Sequence, residues 1–372
     1  MQFDIEAGEL ARILTVVKGC IAPRSTLPIF QHVLVEATAG RVSVRASDAT
    51  MEACASAPAD VKEDGSAALP GTILHGIAKG LPKSALVTIE PDGSHFKVTS
   101  SRSSYKLGSL PADHFPIMQR LDGVEFAIPA ADLKGLLDAT LPSVGNDERY
   151  YLRGVYLHII ESNERRLVAV STDGHCLTRI DMLMPEGGEG IPNVIIPTAT
   201  VNELSAFLGG VDGDVKVLVA PTRLSVSRPD CEIVSKLIDG EYPAYDRFIP
   251  PLNGALATVR SDVMIEAVER AKIVLASSTE KGHSVGLAHT DSGITILAGG
   301  KRGHVEEATE RVDATANEPW PEFGVSAALL SQTLKLFDGA DVDIQQAHPN
   351  APILFTSPAK PALTCVVMPM RR

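Results

Sequence analysis

Aromatic residues make up only 5% of this 372-residue chain, with one tryptophan, so any buried core has to be aliphatic. Long apolar runs are missing too, and nothing approaches the eighteen or so residues that a membrane-spanning helix needs. The opening Met-Gln-Phe-Asp-Ile-Glu has neither the basic nor the apolar stretch of a secretory signal, and a cytoplasmic protein without membrane attachment is the expectation. Cysteine is scarce and scattered. Cys20, Cys54, Cys176, Cys231 and Cys365 are odd in number and never stand in a Cys-x-x-Cys pair, which excludes a disulfide framework or a zinc ribbon. A surplus of positive charge is also lacking. A formal net charge of −12 excludes a protein that coats nucleic acid with its whole surface, while leaving room for a local basic lining. Low-complexity segments and long charge runs are absent as well.

The constellations of an enzyme are equally thin. No Gly-x-x-x-x-Gly-Lys-Ser/Thr phosphate loop occurs, and Gly187-Gly188-Glu189-Gly190 and Gly299-Gly300-Lys301 lack the strand-to-helix setting, so they read as loops. The ten histidines are dispersed. His283 and His289 are the closest pair, but no acid or cysteine completes a metal set with them, and neither a metal nor a cofactor is expected. Thr172-Asp173-Gly174-His175-Cys176 is the one catalytic-looking string, with an acid, a base and a thiol within five residues. Neighbours at a strand end point to opposite faces, however, so an Asp-Gly turn or a binding surface is the preferred reading over catalysis.

What the chain does have is a threefold repeat. Leu10, Ile13, Leu14 and Val17 stand at the i, i+3, i+4, i+7 spacing of an amphipathic helix, and so do Leu133, Leu136, Leu137 and Thr140, and Met264, Ala267, Val268 and Ala271. Each follows a strand-like stretch, Phe3 to Ile5, Val124 to Ile128 and Leu256 to Val259. A second helix family opens after Pro70, Pro197 and Gly324, which are spaced 127 residues apart. Phe115-Pro116 and Tyr242-Pro243 share that offset, and Ser47-Asp48 and Thr172-Asp173 stand 125 apart. Alternating segments such as 41–45, 96–99, 167–170, 223–226 and 294–297 read as antiparallel strands, with turn-formers at Pro91-Asp92-Gly93. The expected fold is α+β: three units of about 125 residues, each with two helices on antiparallel sheet. Turn-rich junctions place the domains at 1–120, 121–252 and 253–372.

Several strings together resemble the bacterial beta sliding clamps, the processivity subunits of the replicative DNA polymerase. They are Arg24-Ser25-Thr26-Leu27-Pro28-Ile29, Arg149-Tyr150-Tyr151-Leu152, Thr172-Asp173-Gly174-His175, Tyr242-Pro243 with Arg247, and the terminal Val366-Val367-Met368-Pro369-Met370-Arg371. The resemblance covers the whole chain. It implies three DNA-clamp domains that form a ring as a head-to-tail homodimer, encircle duplex DNA without regard to sequence, and do no chemistry of their own. Partners implied are the polymerase alpha subunit, the clamp loader, and repair and translesion polymerases, engaged through short linear motifs at the nucleoid. A divergent clamp paralogue, or an adaptor of the same fold that forms no ring, is the alternative.

The same resemblance distributes roles. Arg24, Asn146, Arg149, Tyr150, Tyr151 and Lys79 would meet DNA, with Lys134 and Lys335 as weaker candidates. Leu152, Thr172, Gly174, His175, Leu177, Pro243, Arg247 and Phe248 would form a peptide groove with the tail Val367, Met368, Pro369, Met370 and Arg371. The dimer edge would run along a strand from Ser100 to Leu107 that exposes Tyr105 and Leu107. Arg102 would meet Glu306 and Glu307 there, and Tyr105 would meet Ile273 or Val274. The chain also departs from the family. Cys176 stands where arginine is common, Ala327 where an aromatic is often found and Arg372 where the chain usually ends apolar, and the helices after Pro70 and Pro197 open without a basic residue.

Overall fold

Among the described residues six α-helices carry the apolar stripes: α1 (Ala7–Val17), α2 (Gly71–Gly80), α3 (Ala130–Thr140), α4 (Thr198–Leu208), α5 (Ser261–Leu275) and α6 (Ala327–Lys335). The computed structural model describes residues 1–119, 122–146, 148–161, 163–252, 255–275, 284–290, 293–299, 306–316 and 322–370. His283, Gly300, Lys301, Arg371 and Arg372 lie outside the described residues. In α1 the residues Leu10, Ile13, Leu14 and Val17 are all fully buried, as the helical spacing requires. The same holds for Met264, Ala267, Val268 and Ala271 of α5. Small residues at two of those four positions let α6 pack closely against α5. Ser326 caps α6 by accepting from the Leu329 N–H at 3.4 Å, which satisfies one of the open amides of the first turn.

The chain folds as two compact units. The first comprises Met1–Lys134 and Pro185–Leu237. One of its sheets orders the strands Asp60–Glu63, Gln2–Glu6, Leu86–Asp92, His95–Ser100 and Ser103–Gly108. The other runs Val124–Pro129, Asp214–Val219, Arg223–Arg228, Cys231–Lys236, Met51–Pro58, Arg41–Ser47, His32–Thr38 and Gly65–Pro70. The second unit comprises Gly135–Met184 and Ile238–Arg372. Its longer antiparallel run goes Gly154–Ile160, Arg166–Thr172, Cys176–Leu183, Leu363–Val367, Ile353–Thr356, Asp341–Gln346 and Ala255–Arg260. Its shorter sheet orders Glu307–Val312, Gly293–Gly299, Ser284–Thr290 and Phe323–Ser326. Val259, Met264, Leu287, Phe323, Leu330, Phe337, Ile344 and Phe355 form its core, with few aromatics, as the composition demands.

In both units a sheet crosses from one sequence repeat into the next. Cys231–Ser235 pairs with Met51–Ala55, and Cys176–Ile180 pairs with Leu363–Val367. Backbone hydrogen bonds recognise no repeat boundary, so an edge strand of one repeat is satisfied by an edge strand of its neighbour. Two local expectations need correction. Pro91 and Asp92 belong to the strand, and the hairpin turn is Gly93-Ser94, where Gly93 takes φ +64°. The edge strand is Ser103–Gly108, and on it Tyr105 is 37% exposed but Leu107 only 5%. Leu107 sits opposite Phe96 and packs inward, so it cannot contribute an exposed edge.

Burial and surface pairing predict very different costs within the first unit. Arg12 and Asp230 form a 2.6 Å ion pair, but their side chains are 39% and 37% exposed. Asp230→Asn should lower stability by less than about 1 kcal/mol. Leu10→Ala should cost roughly 2–5 kcal/mol, because a fully buried side chain leaves a cavity behind. Urea unfolding of the two variants checks the ordering, and equal costs would contradict it.

Candidate functional site: an apolar pocket closed by the C-terminal strand

The string 172–176 folds as a turn. Asp173 Oδ1 accepts from the His175 and Cys176 amides, both at 2.7 Å. Thr172 Oγ1 donates to the Cys176 carbonyl at 2.6 Å and accepts from the Gly174 amide at 3.0 Å. Gly174 has φ +86°, the left-handed region that a side chain disfavours, and a Cβ there would lie 3.1 Å from the Arg149 guanidinium. Arg149 packs over the turn and donates to the Asp173 carbonyl at 2.8 Å. The Asp173 carboxylate is therefore spent on backbone amides. Cys176 is 4% exposed, and burial pushes its thiol up to about 12. At neutral pH it is a protonated thiol, the wrong form for a nucleophile.

Beside this turn opens a cavity of about 160 Å³ within the second unit. Leu152, Thr172, Gly174, His175, Leu177, Pro243, Phe248 and Met368 line it, so the structure brings eight of the residues expected of a peptide groove into one place. Five others differ. Val367 is fully buried in the core, and Val366 lines the cavity in its stead. Strand alternation is the reason: Leu363, Cys365 and Val367 face the core, which turns Val366 to the other side. Arg247 is exposed on the short turn Tyr245–Phe248 but is not part of the lining. Pro369 and Met370 lie beyond the cavity, where the Met370 amide donates to Gly324 at 2.8 Å. Arg371 lies outside the described residues. The Met368 amide donates to the His175 carbonyl at 2.8 Å, which fixes the tail against the turn.

Arg149 and Tyr151, expected at DNA, line this cavity, because the loop folds back over the Asp173 turn. Of the other candidates, Arg24 and Asn146 are exposed in loops, and Tyr150 is 55% exposed. Lys79 and Lys335 are exposed near the ends of their helices, and Lys134 is half-buried, donating to Ser205 Oγ at 3.1 Å. Along the expected dimer edge, Arg102 lies in the turn before Ser103, and Glu306 and Glu307 are exposed where the edge strand Glu307–Val312 begins. Ile273 is 72% exposed on α5, whereas Val274 is half-buried.

Tyr245 is a wall residue that sequence reasoning missed; its place beside Tyr242-Pro243 was the available signal. Its hydroxyl lies 3.0 Å from His158 Nε2, while His158 Nδ1 lies 3.2 Å from the Ile159 carbonyl. A carbonyl only accepts, so Nδ1 carries the proton and Nε2 accepts from the Tyr245 hydroxyl. Burial lowers the His158 pKa, which keeps that neutral form in place, and burial pushes the Tyr245 phenol up to about 12. Tyr156 stacks between His158 at 4.6 Å and Tyr242 at 4.7 Å, so an aromatic stack braces the wall from behind.

Repeated α+β units joined through shared sheets, with an apolar pocket and a turn in place of a catalytic dyad, define a repeat-built binding scaffold. Descriptions of the DNA polymerase III beta subunit match the N-terminal domain over residues 1–119, the central domain over 127–244 and the C-terminal domain over 246–371. The chain belongs to the DNA polymerase III beta subunit family. It is 32% identical over 378 residues to the beta sliding clamp of Caulobacter vibrioides and 31% over 376 residues to that of Escherichia coli K12, with full coverage of both chains in each case. Among solved structures it is similar to the Caulobacter crescentus beta sliding clamp with bound polyethylene glycol, at a TM-score of 0.94 and 32% identity, covering 100% of this chain and 99% of that one. A sliding clamp from Bartonella birtlesii bound to griselimycin is also similar, at a TM-score of 0.94 and 29% identity, with both chains covered in full.

The His158 pair predicts a pH dependence. Its folded-state pKa is lowered from 6.5, so the unfolded chain takes up the proton first as pH falls. The stability that the neutral ring contributes is present above about 6.5 and is lost as pH falls through the lower folded value. His75, also lowered by burial, acts in the same direction. Thermal unfolding between pH 7 and pH 5 should show a falling Tm, with a shallower slope in His158→Gln. An unchanged slope in that variant would remove His158 from the account.

Proposed function

We propose that this chain is a DNA sliding clamp that encircles duplex DNA as a head-to-tail dimeric ring and tethers the replicative polymerase through its apolar pocket. The single observation that carries the reading is the pocket itself, closed by the chain's own C-terminal strand in a protein that matches the beta subunit family along its length. Short peptides with glutamine, leucine and an apolar-aromatic end fit an opening lined by Leu177, Val366, Met368 and Phe248. Burying two such side chains contributes roughly 3–6 kcal/mol before ordering costs, which is compatible with micromolar affinity. Methionine and an exposed phenylalanine adapt to more than one ligand, so the polymerase alpha subunit, the clamp loader and repair and translesion polymerases would compete for the site. The work is tethering, done in the cytoplasm at the nucleoid by a non-catalytic subunit with domains at 1–120, 121–252 and 253–372.

A topological link needs no tight phosphate contact, which reconciles the acidic net charge with DNA as a partner. Arg24, Asn146, Tyr150 and Lys79 are the contacts we assign to DNA, and Arg149 and Tyr151 go to the pocket. On closed circular duplex the clamp should stay bound through a salt wash and be lost when the circle is linearised. Equal loss from both forms would overturn the ring. Deleting the last five residues should abolish binding of a Gln-Leu-Ser-Leu-Phe peptide in calorimetry, and full-strength binding would place the pocket elsewhere.

The dimer follows from two open sheet edges, Ser103–Gly108 in one unit and Glu307–Val312 in the other, which strand addition between two copies would satisfy. Tyr105 and Ile273 are the exposed apolar side chains for that contact, with Arg102 facing Glu306 and Glu307 across it. Tyr105→Ala combined with Ile273→Glu should raise the dimer dissociation constant at least a hundredfold in light scattering. A dimer that persists at nanomolar concentration would count against this edge.

A further inference from the structure

The turn that builds the pocket is built a second time, 125 residues earlier. Asp48 Oδ1 accepts from the Thr50 and Met51 amides at 2.8 and 2.7 Å, as Asp173 does from His175 and Cys176. Ser47 Oγ donates to the Met51 carbonyl at 3.1 Å and accepts from the Ala49 amide at 3.2 Å, the two bonds made by Thr172. Ala49 holds φ +73° where Gly174 holds +86°. The strand that leaves each turn is paired in the same register. Met51 and Glu52 face Ser235 and Val234, as Cys176 and Leu177 face Val367 and Val366. A cavity of about 210 Å³ opens within the first unit too; residues 47–51 do not line it, but it meets the strand that leaves this turn at Glu52 and the partner strand at Val234.

The two cavities differ in what covers the strand floor. Glu52 takes the place of Leu177, and Arg45, two residues before the turn and without a counterpart in the lining of the first pocket, stands beside it. The Glu52 side chain is 2% exposed; Oε1 pairs with Arg45 Nη1 and Oε2 accepts from the Met118 amide at 2.8 Å. That bond ties the cavity's loop wall, Ile117 to Gln119, to its floor. The Arg45 side chain keeps 23% of its surface in contact with solvent, and its Nε is buried with no partner among the described residues.

We propose that Arg45 and Glu52 determine specificity by closing this twin cleft to apolar peptides, so that each chain presents one peptide site where the repeat builds two. An entering leucine or phenylalanine would strip the remaining water from the guanidinium, whose buried Nε already lacks an acceptor, and would return no hydrogen bond. At Leu177 the same side chain meets an apolar side chain in place of the ion pair. The inference rests on the peptide-site reading above, and its test separates the two.

Calorimetry with the Gln-Leu-Ser-Leu-Phe peptide should give one site per chain for the wild type and two for the Arg45→Leu/Glu52→Leu variant. The double change removes both charges together and so leaves neither buried alone. A folded double variant with the wild-type stoichiometry, or a wild type with two sites, would overturn the proposal. A wild type that binds nothing, beside a double variant that gains one site, would sink the reading of the first pocket and uphold this one; no binding by either sinks both. A readout on the unmodified protein does not depend on the variant folding. With methyl-labelled methionine, saturating peptide should shift the Met368 resonance and leave Met118 in place, and a shifted Met118 would refute the closed cleft.

Discussion

Two antiparallel strand pairings hold this architecture together, Met51–Ala55 with Cys231–Ser235 and Cys176–Ile180 with Leu363–Val367. Each repeat ends in edge strands whose amides and carbonyls need partners, and each finds them in the next repeat rather than in its own. The consequence is a long sheet in each unit and a seam within it. At the seam the strand entering from an Asp turn lies against the last strand of the following repeat, and the cavities open there. Both cavities therefore sit where two repeats meet inside one compact unit.

The pocket's chemistry is one of shape and water exclusion. The polar groups of the turn at its edge are already engaged. The Asp173 carboxylate holds two amides, Thr172 holds a carbonyl and an amide, and the Cys176 thiol is kept protonated by burial. What remains for a ligand is apolar surface from Leu177, Val366, Met368 and Phe248, which favours burial of hydrophobic side chains with little directional demand. A tether that serves several partners gains from such tolerance, since specificity then comes from the spacing of apolar side chains.

Gene-internal repetition would by itself produce matching pockets, and the backbone does match, down to the left-handed residue in each turn. Side chains have diverged on the unchanged frame. A buried ion pair is seldom a net source of stability, because desolvating two charges costs about as much as their attraction returns. The Arg45–Glu52 pair gains a rationale if it is kept for what it keeps out.

Sequence alone determined the repeat and its helices, because the 3.6-residue stripe and the 125- to 127-residue offsets are local patterns that survive without knowledge of the fold. It also determined the Asp173 turn, since Thr-Asp-Gly is short-range chemistry, and it brought most of the pocket to hand through resemblance. Tertiary structure decided the rest. Whether Val366 or Val367 faces the ligand depends on which face of Leu363–Val367 meets the core, and a run of three buried residues, Cys365 to Val367, conceals that alternation. Leu107 turned inward beside an exposed Tyr105 because burial there depends on what packs against the sheet's end, not on its period. Arg149 and Tyr151 joined the pocket because their loop folds over a turn more than twenty residues away in sequence. Pairing between distant strands is the one instruction that composition and periodicity do not carry, since any satisfied edge serves the backbone equally well.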